Sequence, residues 1–233
     1  MPSPRLLLLS NSTNFGGGYL DHAKHEVREF LGAVRTLAFV PFALFDRAAY
    51  VAKVRERFAA EGVEVVGVSA DQSGAGVLET ADAVFVGGGN TFRLLRTLQD
   101  TGLLGILRRR AEEGMLYMGA SAGSNLACPT IKTTNDMPIV EPAGFAALGL
   151  VPFQINPHYL DPDPASQHMG ETRETRLREF LEDNATPVVG LREGGWIRVE
   201  AGSARLGGQR PARIFRRGKD PDERPPGASL DDL

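Results

Sequence analysis

Ser121 lies within Gly119-x-Ser121-x-Gly123, directly after the apolar run Leu116-Tyr117-Met118 and before a helix-compatible stretch that Pro129 closes. A short strand, a sharp corner and a helix start with this spacing make a nucleophile elbow. The glycines let two stretches of backbone approach where a Cβ would clash. At the tip of such a turn the serine hydroxyl is exposed. The next N–H, at a helix N-terminus, can stabilise an oxyanion. A plain Gly/Ser turn has the same pattern, so the chemistry depends on partners elsewhere.

A nucleophilic serine needs a base, and the base needs an acid to hold its tautomer. The chain has four histidines. His22 and His25 fall on the polar face of the first helix, where a solvated face explains them better than a metal site. His168 lies in the polar stretch Gln167-His168-Met169-Gly170. His158, after a proline and beyond the elbow, is the leading base. Two acids fit: Asp136 gives the order Ser…Asp…His, and Glu193, at the end of a predicted strand, gives Ser…His…Glu. Gly87-Gly88-Gly89-Asn90-Thr91 follows another predicted strand. It lacks the spacing of either phosphate-binding glycine motif, but one of its N–H groups can be a second oxyanion donor.

The elements that must position these residues follow a βαβα rhythm. Arg5 to Ser10 is a continuous apolar run, as in a buried parallel strand. Tyr19 to Val34 carries an apolar stripe at helical spacing. Strands follow at Thr36 to Phe42, Val63 to Val68, Ala83 to Val86 and Leu116 to Gly119, with helices at Ala48 to Glu61, Phe92 to Leu98 and Leu103 to Glu113. This predicts an α/β fold: a mostly parallel sheet with helices on both faces. Pro129 to Pro164 is Pro-rich and irregular, and reads as an ordered functional loop region. A helix is expected near Glu171 to Asp183, a strand at Pro187 to Leu191, and antiparallel strands from Trp196 to Arg216. Residues 1–218 read as one domain and 219–233 as a flexible, Pro/Asp-rich tail.

Bulk properties exclude other classes. A net charge of −3 without a long Lys/Arg run gives no case for nucleic acid. Leu6-Leu7-Leu8-Leu9 is too short for a signal segment or a membrane span. One cysteine, Cys128, rules out an internal disulfide and fits a reducing compartment, so a cytoplasmic location is expected. No metal or cofactor is required.

Over nearly its whole length the chain resembles peptidase E, the α-aspartyl dipeptidases. The matching blocks are Leu8-Leu9-Ser10-Asn11-Ser12-Thr13, Val86 to Phe92, Ser121-Ala122-Gly123-x-Asn125 and Cys128-Pro129-Thr130-Ile131. Thr133 to Val140, Gln154-Ile155-Asn156-Pro157-His158 and Gly170-Glu171-Thr172-Arg173-Glu174 continue the match. The resemblance implies a flavodoxin-like fold akin to class I glutamine amidotransferases, with serine in place of their cysteine. It implies Ser121 as nucleophile and His158 as base. Glu193 is favoured as the orienting acid, and Asp136 is the alternative or binds the substrate's α-amino group. Gly89 and Ala122 N–H would form the oxyanion hole. The implied substrates are dipeptides and similar molecules with an unblocked N-terminal aspartate, the enzyme acting as a monomer or homodimer. Arg173 is a candidate for the aspartate's β-carboxylate, since a guanidinium offers a two-pronged match, and Asn90 is a further substrate-binding candidate. Rival readings are a cyanophycinase-like hydrolase of β-linked aspartyl chains, an α/β-hydrolase esterase and a non-catalytic binder of acidic amino acids. Two departures from the family stand beside the site. Ala120 replaces a larger residue and is expected to widen the pocket. Arg192 replaces a neutral residue and is expected to pair with Glu193.

Overall fold

The computed structural model describes residues 3–163, 165 and 170–233; His168 lies outside them. Two sheets form the frame. The larger has seven strands in the order β3-β2-β4-β5-β1-β8-β9. Its parallel part is β1 (Leu6–Leu9), β2 (Thr36–Val40), β3 (Glu64–Gly67), β4 (Ala83–Val86) and β5 (Leu116–Ala120), and β8 (Gly195–Glu200) and β9 (Ser203–Gly208) extend it antiparallel. The smaller sheet has the order β11-β10-β7-β6. In it β6 (Gln154–Pro157) and β7 (Val188–Leu191) run parallel, while β10 (Ala212–Phe215) and β11 (Asp222–Arg224) are antiparallel.

Strand alternation explains why both faces of the larger sheet are covered. Leu7 and Leu9 pack among Val27, Phe30, Tyr50, Val54 and Phe58, from α1 (Lys24–Leu31) and α2 (Arg47–Ala59). Leu6 and Leu8 pack on the opposite face with α3 (Gln72–Thr80), α4 (Thr91–Asp100), α5 (Leu103–Glu112) and α6 (Ala122–Ala127). The smaller sheet has its own apolar layer, where Leu177 and Leu181 of α7 (Arg173–Asp183) meet Tyr159, Val188 and Phe215. Among the described residues, no helix is long and apolar enough to cross a membrane.

The parallel strands end in register: Leu9 pairs with Ala120, Val86 with Gly119 and Val40 with Val86. Ser10, Pro41, Gly87 and Ser121 therefore leave the sheet along one edge, the carboxyl edge where open α/β sheets hold ligands. In the smaller sheet Pro157 pairs with Leu191, which brings His158 and Arg192-Glu193 out side by side.

Several local expectations are corrected. The first helix is shorter, a 3-10 turn at Asp21–Ala23 followed by α1. The helix α3 was not expected because Gly74 and Gly76 depress its propensity; Asp71 caps it by accepting from the Ser73 and Gly74 N–H groups. Strand β6 emerges inside the Pro-rich region. The 219–233 segment is not a flexible tail. It forms β11, buries Leu230 to 1% exposure, and bonds to β9 through Leu206 N–H to Ala228 O and Leu230 N–H to Ala204 O. Its acids suggested a solvated tail, but they meet arginines: Asp222 and Asp232 pair with Arg216 and Arg224.

Candidate active site

Ser121 sits at φ 51° and ψ −108°, between β5 and α6. A non-glycine residue at positive φ is strained and is held by its surroundings. Here the surroundings are backbone. The Ser121 N–H donates to Leu9 O at 3.0 Å, and the Ser124 hydroxyl lies 2.7 Å from Leu9 O and 3.0 Å from Gly119 O. A Cβ on Gly119 would stand 2.6 Å from Gly123 O, and one on Gly123 would overlap the Val86 carbonyl. The two glycines of the motif are thus required by close approach.

His158 follows the end of β6 at φ 53°. Its Nε2 lies 3.0 Å from Ser121 Oγ, and its Nδ1 lies 2.7 Å from Glu193 Oε1. One residue that sequence reasoning left without a role joins the two sheets at this point. Ser10, at the end of β1, accepts the His158 N–H at 2.9 Å and donates its hydroxyl to Leu191 O at 2.8 Å. Asn11 continues the seam by accepting the Gly194 N–H at 2.8 Å. Both residues stand in the stretch Leu8 to Thr13 that carries part of the resemblance noted from the sequence, the one signal that could have found them.

Asp136 does not reach His158 by a hydrogen bond. Its Oδ2 accepts from the Thr91 N–H at 2.7 Å, the Thr91 hydroxyl at 2.6 Å and the Thr134 hydroxyl at 3.0 Å, while Oδ1 has no partner among the described residues. The loop carrying it is laced to β6: Thr133 Oγ1 donates to Ile155 O and Asn135 Nδ2 to Pro157 O. Asn90 caps α4 by accepting the Arg93 N–H at 3.0 Å, and its Nδ2 donates to Met137 O at 2.9 Å. Its amide therefore braces this loop. Arg173 begins α7, half-buried. Burial lowers its pKa, chiefly by desolvation, with Arg176 acting the same way; the Asp136 carboxylate is near enough to oppose the shift.

Gly89 holds φ 133°, a conformation open to glycine, and its N–H has no hydrogen-bond partner among the described residues. Its neighbour Gly88 lies against Ser121, where a Cβ would stand 3.2 Å from the serine Cβ. Ala122 is the first residue of α6. The loop after β4 and the elbow after β5 are thus in contact beside the serine hydroxyl.

Ala120 and Arg192 directly precede Ser121 and Glu193, and their side chains pack elsewhere. Ala120 is fully buried in the core layer with Leu9, Tyr50 and Met118 and is not among the residues that line the cavity beside Ser121. Arg192 does not pair with Glu193. At 6% exposure it donates Nε to Asp161 Oδ2 at 2.8 Å and Nη2 to Asp161 Oδ1 at 2.5 Å, and meets Glu223 at 2.8 and 2.9 Å. Its guanidinium lies 5.5 Å from the Tyr159 ring centroid. Arg192 holds Asp161 and Glu223 below the usual carboxylate range, with its hydrogen bonds the largest cause in each. The clamp fastens the loop after His158 and the terminal strand to the residue before Glu193.

His22 and His25 do not form a shared group. His25 is exposed on α1, whereas both ring nitrogens of His22 are buried without a hydrogen-bond partner among the described residues. Desolvation lowers the His22 pKa, opposed by the nearby charges of Asp21 and Glu193.

A serine on a strained strand-to-helix turn, in line with an imidazole and a carboxylate at a parallel sheet's carboxyl edge, is the constellation of a serine hydrolase on an α/β fold. Residues 6–207 match the model of peptidase family S51, and the chain belongs to that family. It is 60% identical over 228 residues to "Peptidase E" of Streptomyces coelicolor, covering 98% of this chain and 94% of that protein. It is 46% identical to the Drosophila melanogaster "Probable alpha-aspartyl dipeptidase", covering 97% and 95% of the two chains. The solved structure of a peptidase from an acI-B1 Actinobacterium superposes with a TM-score of 0.72 at 16% identity, over 98% of this chain and 97% of that one, a likeness of fold.

Proposed function

We propose that this S51 peptidase hydrolyses the Asp–Xaa bond of dipeptides and similar small substrates with an unblocked N-terminal aspartate. Ser121 Oγ attacks the aspartyl carbonyl while His158 Nε2 takes its proton. Glu193 on Nδ1 keeps the ring in the tautomer whose Nε2 accepts, and balances the imidazolium that forms. The oxyanion of the tetrahedral intermediate rests on the Gly89 and Ala122 N–H groups. His158 then gives its proton to the leaving amine, and a water molecule attacks the aspartyl ester by the same route. The observation that carries this reading is the unbroken line from Ser121 Oγ through His158 to Glu193, at 3.0 and 2.7 Å.

The choice of aspartate has a physical basis in Arg173 and Asp136, opposite charges close enough to influence each other. Arg173 receives the β-carboxylate, and Asp136 Oδ1 receives the α-ammonium. A substrate with a neutral side chain or a blocked amine leaves one of these charges poorly matched. The name of the Drosophila relative, "Probable alpha-aspartyl dipeptidase", supports an aspartyl substrate.

The test compares α-Asp-Arg, its β-linked isomer and N-acetylated α-Asp-Arg. Release of arginine from the free α-linked peptide alone is expected. Faster cleavage of the β-linked isomer would replace this reading with the cyanophycinase-like one, and tight aspartate binding without turnover would replace it with a binding protein.

A further inference from the structure

Ser121 and His158 open onto a cavity of about 580 Å³ whose lining contains none of Asn90, Asp136 and Arg173. Tyr19 and Tyr50 line it, their hydroxyls 3.3 Å apart. Leu44 and Phe45, from the turn between β2 and α2, line it too. Leu44 packs directly on Gly89, where a Cβ would stand 2.7 Å from its Cδ2, so this wall begins beside the reacting bond. Phe45 is 89% exposed, with the Arg93 guanidinium 5.9 Å from its ring centroid.

Beside His158, two charged side chains line the cavity, Asp46 and Lys53. Asp46 accepts the Ala49 N–H at the start of α2, and the Lys53 ammonium lies 4.6 Å from the Tyr19 ring centroid. Asn11, Ser12 and Thr13 add polar groups, while the larger part of the lining is aliphatic and aromatic surface, which favours apolar groups in rough proportion to the area removed from water.

We infer that this cavity receives the side chain of the leaving residue and favours bulky apolar ones, with Leu44 and Phe45 as the selecting walls. The assignment rests on the proposed Asp–Xaa cleavage. With aspartate held between Asp136 and Arg173, the leaving amine must lie where His158 can protonate it, and His158 faces this cavity. An apolar pocket discriminates modestly, by about 10–200-fold per methylene-scale difference.

Values of kcat/KM for Asp-Ala, Asp-Leu and Asp-Phe, in wild type and in the Leu44→Ala and Phe45→Ala variants, test the inference. Wild type is expected to prefer Asp-Leu and Asp-Phe over Asp-Ala by roughly tenfold or more. Either substitution is expected to pull that ratio toward one, mainly through KM. Equal values for the three peptides in wild type, or a preference that survives both substitutions, would overturn the cavity assignment while leaving Asp–Xaa cleavage intact. Failure to cleave any of the three overturns the functional reading, and this inference with it.

Discussion

Ser121 and its hydrogen-bonded partners His158 and Glu193 come from two sheets that are built differently. Ser121 ends a central strand of the larger sheet, and backbone groups packed to contact fix its place: Leu9 O, Gly119 O and Val86 O. His158 and Glu193 leave adjacent strands of the smaller sheet with side chains 40% and 46% exposed. Hydrogen bonds hold them: Ser10 to the backbone on both strands, and the Arg192 clamp to the segments on either side. Sterics therefore set Ser121, and polar links set His158 and Glu193. Damage to the first should appear as lost folding, damage to the second as lost rate.

The sharpest contrast is Gly123→Ala against Glu193→Gln. The new Cβ at Gly123 overlaps the Val86 carbonyl, so a loss of at least about 3 kcal/mol, or failure to fold, is expected in thermal unfolding. Glu193→Gln removes a half-exposed charge; Tm should barely move while kcat/KM falls by about 10²–10⁴. Asp136→Asn, whose carboxylate is bonded to Thr91 and Thr134 rather than to His158, should act mainly on KM. A larger fall in kcat for Asp136→Asn than for Glu193→Gln would reverse the assignment of the acid.

A smaller effect belongs to the clamp. Because Arg192 depresses the carboxyl pKa values of Asp161 and Glu223, their contribution to stability is present above the unfolded values, about 4, and is lost as pH falls through the lower folded values. Wild type should lose Tm steadily below about pH 4. In Arg192→Met the Tm at pH 7 should be lower, by the equivalent of about 1–3 kcal/mol, and the acid slope shallower. Parallel pH profiles for the two proteins would remove the clamp from the account.

The same division explains what could be read from the sequence. The elbow was legible because its constraints are local: apolar strand, glycine, serine, glycine, helix start. Glu193 was legible as a carboxylate at a strand end, yet its hydrogen bond to His158, which Asp136 lacks, depends on the pairing of Pro157 with Leu191. Ser10 was passed over because its hydroxyl acts on residues 148 and 181 positions away. The terminal segment was misjudged for a related reason, since composition counts its acids but does not show that Arg192, Arg216 and Arg224 meet them. Arg192 was set against Glu193 by adjacency alone, although neighbours on an extended chain point to opposite sides.

The central claim is that Ser121 carries the hydrolysis of an aspartyl peptide bond. It is tested most directly by Asp-Leu cleavage in wild type and Ser121→Ala, each with and without a chelator. Wild-type activity that survives the chelator, together with a loss of about 10⁴-fold or more in Ser121→Ala, is the predicted result. Full activity in Ser121→Ala, or wild-type activity abolished by the chelator, would contradict it.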